Sequence, residues 1–235
     1  MQAVDSVLLE FIHAVVAGDL DAVSRRLQAN PSLATTASAV GATRQDAATY
    51  FISDISHYLY EGDTALHLAA AAFQRPVAEL LVATGADCRA KNRRGAEPLH
   101  YAADANHRRP AAQADIIEYL IATGADPNAV DHDGVTPLHR AVRTRSLAAV
   151  RALLDRGANP RQPNDSGSTP LHLAVQTTGR GGSGSAEARE QQAGIVLLLL
   201  QRGARPTDRD RNGKHVYDAA RSEWLRDLLT NAARG

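Results

Sequence analysis

Thr64–Ala70 reads TALHLAA, Glu97–Ala103 reads EPLHYAA, Thr136–Val142 reads TPLHRAV and Thr169–Val175 reads TPLHLAV. The four starts lie 33, 39 and 33 residues apart. A second marker follows each of them: TGADCRA from Thr84, TGADPNA from Thr123, RGANPRQ from Arg156 and RGARPTD from Arg202. Between the markers stand the apolar stretches VAELLV, IIEYLI, AVRALL and IVLLLL, which have the length and composition of helices. A fixed period with ordered markers is the signature of a repeat architecture.

Thr-Pro-Leu-His and Gly-Ala-Asp, recurring in order, make the chain resemble the ankyrin repeat. That resemblance implies an all-α solenoid, each unit a short hairpin loop followed by two antiparallel helices. Complete units are expected at residues 61–92, 93–130, 131–163 and 164–209, with atypical capping units at 1–34 and 210–235 and an insertion at 35–60. The residue types fit this scheme. Thr64, Thr136 and Thr169 can cap the first helix of their units. Pro98, Pro137 and Pro170 fall in the first helical turn, where a missing N–H costs nothing. Alanine pairs such as Ala69-Ala70 allow close helix approach. Gly85, Gly124, Gly157 and Gly203 suit a left-handed turn after the second helix.

The bulk composition agrees and excludes several functions. The 235 residues are 44% hydrophobic but only 4% aromatic, as many small helices packed closely would require. Zero net charge and only two lysines, Lys91 and Lys214, argue against nucleic-acid binding. A single cysteine, Cys88, excludes an internal disulfide and a cysteine zinc cluster and fits a reducing compartment. The first residues show no signal peptide, and no stretch of about 18 apolar residues is present for a membrane span. A cytoplasmic monomer is expected, and the high Ala and Arg content points to a bacterial source.

Several catalytic or metal motifs dissolve into the repeat. His67, His100, His139 and His172 occupy the repeat's own histidine position, which in the ankyrin family makes structural hydrogen bonds between hairpin loops. The other five histidines lack HxxxH or HExxH spacing. Asp208–Gly213 begins like a calcium loop, but position 12 is Ala219 where a glutamate is needed. Gly179, Gly181 and Gly184 match a dinucleotide fingerprint but follow a helix, not a strand. No metal and no cofactor is expected.

Departures from the generic repeat mark the candidate site. About 21 extra residues precede Gly62, and within them Ile52, Ile55 and Leu59 lie at helical spacing. A short amphipathic helix is expected there, either packing on the first units or walling the groove with Tyr50, Phe51, Tyr58 and Tyr60. Insertions of 6 and 13 residues separate the two helices of the third and fifth units and bring His107, Arg108, Arg109 and Arg180. Between them the fourth unit reads TPLHRAVRTRS. There Arg140 and Arg143 share one helical face and Arg145 replaces the usual glycine. Arg140, Arg143, Arg145 and Arg180, flanked by Asp104, Gln176 and Tyr101, form a candidate anion site, since guanidinium forks hold carboxylate or phosphate. The alternative is that these arginines solvate helix ends and are neutralised by Asp104, Glu187 and Glu190.

Two functions remain in competition. As the resemblance implies, the chain is a non-catalytic module that binds a protein partner. It would use the concave groove and hairpin tips, with Tyr58, Tyr60, Asp63 and His132 among the contacts. The alternative is a pocket for an anionic small molecule, or an atypical enzyme, in which the insertions close the groove and tyrosines or Asp104 act as acid or base.

Overall fold

The computed structural model describes residues 6–104, 109–176 and 185–232. Among them twelve α-helices follow one another as pairs: α1 (Ser6–Ala17) and α2 (Leu20–Ala29), α3 (Ala65–Ala71) and α4 (Arg75–Ala83), α5 (Pro98–Asp104) and α6 (Pro110–Ala122), α7 (Pro137–Arg143) and α8 (Leu147–Asp155), α9 (Pro170–Ala174) and α10 (Ala186–Gln201), α11 (Val216–Ala219) and α12 (Glu223–Ala232). Odd-numbered helices stack on one another as an inner layer, and even-numbered helices stack as an outer one. The result is an all-α repeat solenoid with one continuous core. All seven residues of α3 are buried, and Ala69, Ala70, Ala102, Ala103 and Ala141 are wholly so. Small side chains at these contacts let adjacent inner helices pack backbone to backbone.

The repeat histidines hold the units together. In each, Nδ1 accepts the backbone N–H of the residue three before it, at 3.1–3.2 Å from Thr64, Glu97, Thr136 and Thr169. A backbone N–H only donates, so the ring is neutral with its proton on Nε2. That Nε2 donates to the next unit: His67 to Ala96 O at 3.1 Å, His100 to Val135 O at 3.0 Å, His139 to Ser168 O at 3.0 Å and His172 to Lys214 O at 3.4 Å. The expected threonine caps take a modified form. Each hydroxyl lies 2.8–3.0 Å from its histidine Nδ1, so the ring stands in for the glutamate of a capping box.

The hairpin loops repeat an Asx turn. The Oδ1 atoms of Asn92, Asp131, Asn164 and Asp210 each accept two amides, from the residues two and four ahead. Glycine is required three residues on: at Gly95 φ is 72°, and a Cβ would come within 2.5 Å of the His132 ring. Successive tips are joined by Arg93 N to Glu61 O, His132 N to Arg94 O, Asp165 N to Asp133 O and Arg211 N to Ser166 O, at 2.9–3.1 Å. Gly85, Gly124, Gly157 and Gly203 all have positive φ after their outer helices, as expected.

The first insertion differs from its expectation. It forms no amphipathic helix but two 3₁₀ turns and a short antiparallel hairpin, β1 (Phe51–Ile52) with β2 (His57–Tyr58). Aromatic and β-branched residues favour the paired, half-buried strand, and Ser56 turns the chain at φ 49°. Ile52, Ile55 and Leu59 are buried as a helix would have buried them, and Leu59 N bonds Tyr50 O across the hairpin at 2.8 Å. The other two insertions partly extend outer helices. α6 has 13 residues and α10 has 16, against nine in α4 and α8. His107, Arg108, Arg180 and the Gly179–Gly184 stretch lie outside the described residues.

Candidate binding site on the inner-helix face

A cleft of about 210 Å³ opens between the β1–β2 hairpin, the hairpin loop at Asn92–Ala96, and helices α5 and α7. Ser56, His57, Tyr58 and Tyr60 form the inserted wall, Arg94 the tip, and Tyr101, Asp104 and Arg140 the helical floor. Five of the expected site residues therefore converge here: Tyr58, Tyr60, Tyr101, Asp104 and Arg140.

The floor is not a free recognition surface. Tyr101 is 1% exposed and donates its hydroxyl to the Asp63 carboxylate at 2.7 Å. Asn92 Nδ2 donates to the same oxygen at 2.8 Å. Asp63, expected on a hairpin surface, is fully buried beneath the cleft, and it also accepts Tyr60 N at 2.7 Å. Burial and the Asp63 carboxylate push the Tyr101 hydroxyl well above its ordinary pKa, so it stays protonated and is a poor acid. The His57 ring stacks over Tyr101 with centroids 4.5 Å apart.

Arg140 is likewise an interior residue. It donates to Asp104 at 3.1 Å and to Asp131 at 2.7 Å, and its Nε is buried without a partner. Arg143, whose side chain is 61% exposed, shares Asp104 at 2.8 Å. Burial alone would raise the Asp104 carboxyl, but Arg140 and Arg143 outweigh it and hold it below the usual range. The same balance holds Asp131 low, where the Arg140 hydrogen bond and two backbone amides overcome burial. The fourth-unit arginines thus divide. Arg140 is locked by two carboxylates, Arg143 is half-neutralised, and Arg145 stands apart.

Arg143, Arg145 and Gln176 line a second recess of about 80 Å³ with Leu173, Gln192 and Ile195. It adjoins the cleft through Arg143, which pairs with a cleft residue while lining the recess. Asp104 lies in the cleft floor, and Gln176 in the recess wall. His132 is exposed on its hairpin tip and lines neither. Arg109 turns inward, donating to Ala72 O at 2.6 Å and covering the Phe73 ring at 5.6 Å.

The sequence reading did not find Asp131, His57 or the glutamines Gln113 and Gln192. The two glutamines close inner-helix ends by donating to Ala102 O and Ala174 O at 2.8 and 2.7 Å. A signal for Arg140 was present. The residue after each repeat histidine is Leu68, Tyr101, Arg140 and Leu173, so an arginine there occupies an apolar position and needs buried partners.

Two stacked helical layers, a ladder of hairpin loops and helix contacts between successive units define a repeat solenoid. The family model for ankyrin repeats (3 copies) matches residues 11–111 and again 110–210, and the chain belongs to the ankyrin-repeat family. Proteins of this kind generally mediate protein–protein interaction. No curated protein matches the chain. Among the described residues no helix is long and apolar enough to cross a membrane, and no three His, Cys, Asp or Glu side chains converge to hold a metal ion.

Proposed function

We propose that the chain is a non-catalytic module that holds a protein partner on its inner-helix face and hairpin tips. In this reading the inserted β1–β2 hairpin supplies the anchor. The observation that carries it is the Phe51–Tyr58 pair. The two rings face each other across the hairpin at 5.0 Å, and both are exposed, at 44% and 37%. Rigid exposed aromatics beside a recess are the usual anchors of an interface. The cleft suits one side chain of a partner: small-molecule pockets run to roughly 300–1,000 Å³, and this one is smaller. A catalytic reading has less support, because Tyr101 and Asp104 are committed to internal partners.

The test is the double variant Phe51→Ser/Tyr58→Ser in affinity capture from the source cells, beside wild type. Proteins retained by wild type and lost by the variant, with an unchanged melting temperature, support the reading. Equal retention by both proteins would remove the inserted hairpin from the interface.

A further inference from the structure

Among the described residues, the ion pairs of the inner-helix face leave out Arg94, at the cleft, and Arg145, at the recess. Arg94 joins no ion pair among the described residues. Its guanidinium lies 5.2 Å from the centre of the Tyr60 ring and bonds only the Tyr60 hydroxyl, at 3.3 Å. Its neighbour Arg93 lies over the same ring, at 5.7 Å, but its guanidinium also donates to Ala42 O. Among the described residues Arg94 is thus a cation of the cleft wall with no carboxylate, and its fork is held in place by stacking on an aromatic ring.

Arg145 is the second. Its backbone is left-handed, at φ 58°, where the repeat ordinarily places glycine. Phe73 has the same conformation in the second unit, at φ 56°, but it is only 5% exposed and packs in the core. Arg145 has no such return. It is half-buried, makes no side-chain hydrogen bond or ion pair among the described residues, and lines the recess. Backbone strain that no side-chain hydrogen bond or ion pair offsets is a mark of a functional position. Arg143 links the two arginines, since it lines the recess and binds Asp104 in the cleft.

We propose that the partner presents an acidic segment, laying one carboxylate on Arg94 in the cleft and a second on Arg145 in the recess. The proposal rests on the protein-binding reading above and names the chemistry of its partner. Each guanidinium fork matches a carboxylate with two parallel hydrogen bonds. The paired arginines, Arg140 and Arg143, keep Asp104 from repelling the incoming acid.

Display selection of short random peptides against the purified chain tests this. Enriched peptides are then titrated by fluorescence anisotropy into wild type, Arg94→Gln, Arg145→Gly, and Arg151→Gln on the outer helix α8. The expected peptides are rich in Asp and Glu. They bind Arg94→Gln and Arg145→Gly about tenfold more weakly, and Arg151→Gln as they bind wild type. Arg145→Gly is expected to melt at a higher temperature than wild type, so its loss of binding cannot be unfolding. Enriched peptides without an acidic excess, or acidic ones indifferent to both substitutions, overturn the proposal and leave the protein-binding reading standing. A selection that enriches nothing contradicts that reading itself. Glutarate binding wild type as tightly as the peptides would replace the acidic segment with a small dicarboxylate and also overturn the proposal.

Discussion

Arg140 Nη2 grips the Asp131 carboxylate at 2.7 Å, with both side chains more than nine-tenths buried. The pair joins helix α7 to the hairpin loop of its own unit, and the second contact, to Asp104, joins it to the unit before. The arginine cluster of the fourth unit therefore has a structural member at its centre.

Breaking that pair leaves buried carboxylates without their cation. Arg140→Ala is expected to lower stability by about 3–5 kcal/mol. Arg143→Ala removes an exposed partner of the same aspartate and is expected to cost less than about 1 kcal/mol. Urea unfolding of both variants checks this. Equal small losses would mean that the Arg140 contacts contribute nothing net.

The repeat histidines set a pH dependence. Burial depresses His67 and His139 below their ordinary value of 6.5 and takes His100 down to about 4. Below about pH 6.5 the unfolded chain binds protons that these folded rings refuse. The histidines' contribution to stability is therefore complete above that pH and is lost as pH drops toward 4. The urea midpoint is expected to be lower at pH 5 than at pH 7.5, with a smaller difference in His100→Gln. An unchanged midpoint would contradict the buried neutral rings. At neutral pH, His139→Ala is expected to cost about 1–3 kcal/mol, because Thr136 N and Ser168 O lose their partner.

Glu97 stands where three other units have threonine. Its side chain is 6% exposed, Oε2 has no partner, and Lys91 is 3.9 Å from the other oxygen. Burial raises its pKa above the ordinary 4.5, so the folded state is penalised once pH rises past that value. Glu97→Thr restores the hydroxyl partner of His100 and is expected to gain about 1–2 kcal/mol at pH 7. The gain shrinks at pH 4, where the carboxyl is protonated in both states. A loss of stability on substitution would show that Glu97 has a contact that matters.

Arg145→Gly relieves a left-handed backbone and is expected to gain about 1 kcal/mol in the same unfolding measurement. A decrease would show that the Arg145 side chain stabilises the fold, and would end its claim as a binding residue.

The solenoid was legible because its determinants are local and repeated. His67, His100, His139 and His172 recur with the threonine, proline and glycine that each unit needs, so the layers and hairpins followed from spacing. The site was only partly legible, because its partners come from different units. Arg140 meets Asp104 from 36 residues away, and Tyr101 meets Asp63 from 38. Spacing alone could not show that these side chains satisfy one another. The inserted hairpin was misread as a helix because Ile52, Ile55 and Leu59 fit a helical period by coincidence. Tyr50, Phe51, Ile52 and Tyr58 carried the opposing strand preference.

Site-specific photo-crosslinking from position 58 tests the central claim most directly. A photoreactive phenylalanine analogue replaces Tyr58 in one protein and Arg151, on the outer layer, in another, and both are irradiated in the source cells. The account predicts a discrete crosslinked partner from position 58 and none from position 151. Crosslinks from position 151 alone would place the interface on the opposite face and contradict it.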